Sequence, residues 1–185
     1  MKLLLYCTKS KPYMTIADVM HNDQNFHTEY ATLFNYSKED AVRCFGELYN
    51  GKVVAECDFE VEEFVNPYFP KGSFVTHSIT YEKFLEQSCL TENELKKYIN
   101  NGNRGYAIHI ENLNIFDEPR ELKTLYQYSH YNTCIKNTPK NMMNCYDADG
   151  EHKILISFHP EGLCKILNGE KTIEIRKKVL KEMLK

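Results

Sequence analysis

"ISFHPEGLCKILNGEKTIEIRKK" runs from Ile156 to Lys178. It reads as the end of a strand, a short helix, a tight turn and a second strand crowded with charge. Pro160 suits a first helical position, since its missing N–H would be unsatisfied there anyway, and Asn168-Gly169 suits a helix stop. In the segment that follows, Ile173 and Ile175 alternate with Thr172, Glu174 and Arg176, the period of a strand. The alternation predicts the isoleucines inward and the other three on the opposite face. Side chains two apart on one face sit about 7 Å apart, so Glu174 and Arg176 can pair or reach one ligand together. Lys171 has the opposite parity, but it belongs to the turn and can swing to the same mouth. Arg brings a planar fork for phosphate or a base edge, Lys a mobile charge, and Glu an acceptor for an exocyclic amine. The competing reading is a surface ion pair that guards an edge strand against aggregation.

Working outward, "GEHKILISF" and the preceding "MNCYDAD" predict a hairpin that turns at Asp149-Gly150. At the other end of the chain, Leu3 to Cys7 reads as a buried strand leaving into a basic loop with Lys9 and Lys11. The stretch 13–36 shows no clean period, and 13–50 is expected to be an insertion or variable loop region; "SKEDAVRCFGELYNG" at its end predicts a short helix capped by Ser37. "KVVAECDFEVEEF" alternates Val53, Ala55, Cys57, Phe59 and Val61 with a mostly acidic face, and predicts a long antiparallel strand with that acidic face in water. "LTENELKKYINNG" carries a capping box, Thr91 with Glu94, and predicts a helix over 92–100. "GYAIHIENLNIF" predicts another strand, with "DEPREL" turning away from it. His109 on that strand and His159 before Pro160 are expected to be core or capping residues.

The bulk numbers bound the partners. With 185 residues and 42% hydrophobic content, a single domain over 1–185 is expected. The net charge is −3, so a nucleic-acid surface would have to be a local patch. Seven cysteines at scattered positions form no C-x-x-C pair, which argues against a zinc site and for small reduced hydrophobes in a cytoplasmic protein. No cofactor motif is present. "MKLLLYC" is too short for an export signal, and no run reaches the ~20 apolar residues of a membrane span. Trp is absent, while 13 Tyr and 10 Phe supply the aromatic surface.

The helix, then Gly169 and Lys171, then Glu174 and Arg176 resemble the signature of ASCH domains, a branch of the PUA-like superfamily, of the kind carried by phages and prophages of anaerobic Firmicutes. "LLLYCTKSKP", "NGKVVAECDFEVEEF" and "YAIHIENLNIFDEPREL" are similar to later strands of that domain. The resemblance covers most of the chain outside 13–50 and 125–145, and implies an α+β fold built on a small β-barrel with flanking helices. The order differs: the signature opens an ASCH domain but closes this chain. Joining "EIRKKVLKEMLK" to "MKLLLYCTK" restores the usual order, so the resemblance implies a circular permutation with first and last strands side by side. It further implies that Lys9 and Lys11 join the site.

Some ASCH proteins are amidohydrolases with a Thr nucleophile three residues after the Lys. Here that position is Glu174, and a carboxylate cannot replace a hydroxyl nucleophile in amide cleavage. The leading expectation is an RNA- or nucleotide-binding module whose ligand site holds Lys171, Thr172, Glu174, Arg176, Lys9, Lys11 and His159, without chemistry of its own. Two alternatives remain open at this point. One is a phage-type protein that antagonises a host defence nuclease or ribonucleoprotein, anti-CRISPR fashion; the other is an ASCH-type ribonuclease.

Overall fold

The computed structural model describes residues 1–8, 51–65, 74–76, 79–99, 104–121, 141–146 and 150–184. Among them run strands β1 (Lys2–Cys7), β2 (Lys52–Val65), β3 (Phe74–Thr76) and β4 (Ile79–Thr80), then helices α1 (Tyr81–Ser88) and α2 (Glu92–Ile99). Strands β5 (Arg104–Glu121), β6 (Met142–Tyr146) and β7 (His152–Phe158) follow, then helix α3 (Pro160–Leu167), strand β8 (Ile173–Arg176) and a 3-10 turn over Lys181–Leu184. The fold is α+β. One six-stranded sheet has the order β6-β7-β1-β2-β5-β8, and β3 and β4 form a separate ribbon. All ladders in the large sheet are antiparallel except β1 with β7. The insertion expected at 13–50, its Ser37-capped helix, and Lys9 and Lys11 lie outside the described residues.

Two expectations are corrected. First, β1 and β8 are not neighbours: β2 and β5 stand between them. The side-by-side placement fails because β8 takes its partners from β5, pairing Ile108 with Glu174 and Ala107 with Ile175. Second, the sheet is open; among the described residues no ladder joins β8 to β6 or β7. It is nevertheless strongly curled. In a flat sheet β8 would lie four strand spacings, about 19 Å, from β7, yet the Arg176 guanidinium on β8 donates a 2.9 Å hydrogen bond to the Ser157 carbonyl on β7. The strand β8 is only four residues long, and helix α3 crosses from β7 to β8 over the gap. A side chain and a helix thus span the opening that a ladder would otherwise close.

The curl makes two main cores. Inside it, Leu3, Leu5 and Cys7 of β1, Ile108 of β5, Ile154 and Ile156 of β7, Leu163 and Ile166 of α3, and Leu180 and Met183 near the end of the chain pack together. Outside it, α1 and α2 cover β5 and β8: Tyr81, Phe84, Leu95 and Ile99 meet Ala107, Ile173 and Ile175. Cross-strand partners share a face, so Glu174, opposite Ile108, faces the concave side. The isoleucines of β8 therefore point outward into the second core, not inward. Both faces of β8 are buried, which reverses the expected polarity of the strand.

Local signals explain most elements. The capping box closes as the sequence requires, with Glu94 Oε2 accepting from the Thr91 N–H at 2.7 Å and the Glu94 N–H donating to Thr91 Oγ1. Gly169 (φ +79°) ends α3 in a backbone region costly for other residues. Helix α1 went unread in the sequence; its cap is Thr80, whose Oγ1 accepts from the Lys83 N–H. Strand β5 does not stop at Phe116. It pairs Val53 with Arg120 and Lys52 with Glu121, and the register slip between Val53 and Ala55 takes up the residues around Pro119, which lacks an N–H for a ladder.

Candidate functional site

Helix α3 leaves β7 at Phe158-His159 and delivers the chain to Lys171 at the start of β8. The Lys171 N–H donates to the Lys165 carbonyl and the Thr172 N–H to the Gln87 carbonyl at the end of α1, while the Thr172 carbonyl accepts from the Ile110 N–H. This lashing fixes where Lys171, Glu174 and Arg176 emerge. The three converge: Lys171 Nζ lies 2.6 Å from Glu174 Oε2, and Arg176 Nε lies 2.7 Å from Glu174 Oε1. Neither Glu174 Oε2 nor Arg176 Nε has the alignment of a hydrogen bond in these contacts. Side-chain exposure is 13% for Lys171, 9% for Glu174 and 11% for Arg176. Two cations thus share one recessed carboxylate, so among the described residues one positive charge is left without an anion.

The trio lies on the wall of a cleft of about 750 Å³, together with Thr8, Lys97, Tyr98, Asn141, Phe158, His159, Gly162 and Lys177. Four cations (Lys97, Lys171, Arg176 and Lys177) face two carboxylates, Glu94 and Glu174. One of these, Glu94, is already committed to its capping box. The Arg176 guanidinium carbon stands 5.1 Å from the Phe158 ring centroid, and Lys177 Nζ 5.0 Å from that of Tyr98. Gly162 opens the α3 side, and a Cβ built on it would meet nothing within 4 Å.

Of the expected site residues, the structure gathers Lys171, Glu174, Arg176 and His159 in one cleft. Thr172 is not on its wall; its buried Oγ1 finds no hydrogen-bond partner among the described residues. His159 holds the N-cap position of α3 but makes no side-chain capping bond, and it is exposed to the cleft. Thr8, where β1 ends, does reach this cleft. The sequence reading missed Lys97, Tyr98 and Lys177. The signal was present in α2: Leu95 and Ile99 form its buried face, which throws Lys97 and Tyr98 to the outside.

A second cleft of about 670 Å³ has the opposite character. Met1, Phe59, Val61, Met183 and Leu184 supply an apolar wall, and Glu60, Glu62, Glu182, His109 and His152 the polar groups. His109 Nε2 lies 3.8 Å from Glu62 Oε2, so His109 is half-buried beside an acid, neither core nor cap. The acidic face of β2 is largely paired. Lys2 meets Asp58 at 2.8 Å, and Lys153 meets Glu56 at 3.0 Å. Burial alone would push the Glu56 carboxyl up, but the Lys153 ammonium, helped by Asn114 and Lys2, outweighs it and holds the carboxyl below the ordinary range.

Burial pushes the Cys7 and Cys57 thiols up to about 12 and Cys164 up to about 11. These thiols are packing groups, not nucleophiles. Among the described residues no three of His, Cys, Asp and Glu are placed to share a metal ion, and no helix is long and apolar enough to cross a membrane. Comparison of the chain with family models, with curated proteins and with solved structures gave no match.

Proposed function

We propose that the chain is a circularly permuted, ASCH-type PUA-like module that binds RNA or a nucleotide in the Lys171–Glu174–Arg176 cleft. The observation that carries this reading is the gathering of four cations in one cleft, two of them on a recessed Glu174, in a chain of net charge −3. Glu174 holds Lys171 and Arg176 in place in the free protein, and an arriving phosphate would share them. Such preorganised cations cost little entropy to engage. The permuted barrel relationship is supported by the curl of the sheet, by α3 crossing its opening, and by Met1 and Leu184 lining one cleft.

The alternatives draw less from the same residues. Glu174 lies between two cations and so is a poor nucleophile or base. Two of the β2 carboxylates that a nucleic-acid mimic would display, Asp58 and Glu56, are held by Lys2 and Lys153.

The test is anisotropy of a labelled single-stranded RNA titrated with the protein over a range of salt. Four phosphate-facing cations give a slope of about −3 in log affinity against log salt. Lys171→Met should flatten the slope. Gly162→Leu, which fills the cleft from an unobstructed position, should abolish binding without lowering the unfolding temperature. Binding absent at low salt, or untouched by both variants, defeats the reading. Loss of RNA with time that disappears in Glu174→Gln would transfer the site to a ribonuclease.

A further inference from the structure

Tyr98 takes no part in the ion pairs of the cleft, yet it is 39% exposed on the wall beside them. Its ring is held by its helix: Leu95 and Ile99 anchor α2 in the outer core, and the ammonium of Lys177 lies over the ring at 5.0 Å. Burial pushes the Tyr98 phenol up, while the charge of Arg176 and the N–H of Lys177 hold it back. A rigid, half-exposed aromatic ring thus stands among cations, above a carboxylate and a guanidinium that are about nine-tenths buried.

We propose that Tyr98 is the stacking face for an unpaired base, so that the cleft takes single-stranded RNA in preference to duplex; this rests on the RNA-binding reading above. Depth supplies the first reason. An A-form duplex offers its phosphates on a convex surface and hides its major-groove edges in a deep, narrow groove. It can touch Lys97 and Lys177, which are exposed, but cannot bring a phosphate down to Arg176. An unstacked nucleotide can place its phosphate between Lys171 and Arg176 while its base meets the ring. The second reason is the partner already on that ring. Every base has a π-face that can replace the ammonium over Tyr98, and the freed Lys177 then serves the next phosphate. The third is size: about 750 Å³ is the scale of a small-ligand site, not of a duplex groove.

The chain contains no Trp, so Tyr98→Trp introduces a single indole whose emission reports stacking directly. We expect a single strand of about eight nucleotides to quench that emission as it binds. A blunt duplex of equal length, followed by anisotropy at the same salt, should bind at least tenfold more weakly and leave the emission unchanged. Tyr98→Leu should weaken single-strand binding by about ten- to a hundredfold, while Tyr98→Phe retains it. Because the ring is exposed, both variants should melt with the parent. The inference is overturned if the duplex binds equally well, if the emission of the bound complex is unquenched, or if Tyr98→Leu binds as the parent does. Should any of these occur while Gly162→Leu still abolishes binding, RNA binding in the cleft stands and only the stacking role falls. Absence of binding to either nucleic acid at low salt removes both.

Discussion

The two clefts are nearly equal in volume and opposite in construction. In the cationic cleft Lys171 and Arg176 are recessed around one carboxylate at a short strand clamped by backbone bonds, while Lys97 and Lys177 stand exposed on the same wall. In the acidic one Glu60 and Glu62 stand on a long strand between apolar side chains and Glu182 on the 3-10 turn, with an imidazole 3.8 Å from Glu62. A net charge of −3 therefore describes neither surface. Segregation, not total charge, decides what each region can attract. The difference also separates stability from recognition: Asp58 and Glu56 of β2 pair with lysines of the neighbouring strands, whereas among the described residues each cleft keeps an excess of one sign.

Four changes would break or sharpen that contrast. The largest effect is expected from Arg176→Ala, which strips Glu174 of one cation and removes the bond from β8 to Ser157. Leaving a buried charge half-compensated should cost about 3 kcal/mol in urea unfolding; a loss under about 1 kcal/mol would mean the trio is solvated and the cleft shallow. Next comes Gly105→Ala, in the core under the cationic cleft. Its Cβ would sit 2.5 Å from the Phe64 ring and 2.7 Å from Ile99. Overpacking of that kind should cost about 1–3 kcal/mol, with β8 losing its amide-exchange protection first.

On the acidic strand, Glu56→Gln should cost about 1.5 kcal/mol near neutral pH by removing a charge-assisted bond to Lys153. The folded-state pKa of Glu56 is depressed, so its contribution is present above the unfolded carboxylate pKa and fades as pH falls through the folded value. Parent and variant should therefore converge in urea midpoint as the pH is lowered from 6 towards 3; parallel curves would deny the pair its role. The smallest effect belongs to Gly162→Ala. Open space around the added methyl and the helical position should yield a gain of about 0.5–1 kcal/mol in thermal unfolding.

What the sequence disclosed was mostly local. The alternation of β2 from Ala55 onward, the Thr91–Glu94 box, Pro160 opening α3 and Gly169 ending it each depend on residues within one turn or strand and are found. At the start of β2 a register slip puts Val53 in a different core from Ala55 and buries Val54, which alternation alone places on the acidic face. The pairing of Glu174 with Arg176 follows from period two on four residues; Lys171 joins them from the turn, and Thr172, of the same parity, does not reach the cleft. What escaped was non-local. Alternation gives β8 two faces but does not say what covers them, so it predicts Ile173 and Ile175 inward where the structure turns them outward, under α1 and α2. The neighbour of β8 is β5 rather than β1 because pairing is chosen by the whole sheet. Thr80 and the Tyr81–Phe84 pair could have announced α1, but eight residues next to a strand make a weak period. Tyr98 escaped because a lone tyrosine on a polar helix face carries no signal until its neighbours in space are known.

The parallel pairing of β1 with β7, Lys2 beside Lys153, has a consequence for how the molecule is made. During synthesis the three leucines of β1 are released long before the strand that covers them exists, so they must wait as an uncapped apolar ribbon. Contacts this distant along the chain slow folding and prolong the sticky intermediate. Refolding from denaturant should be slow and concentration-sensitive, with helper proteins raising the yield.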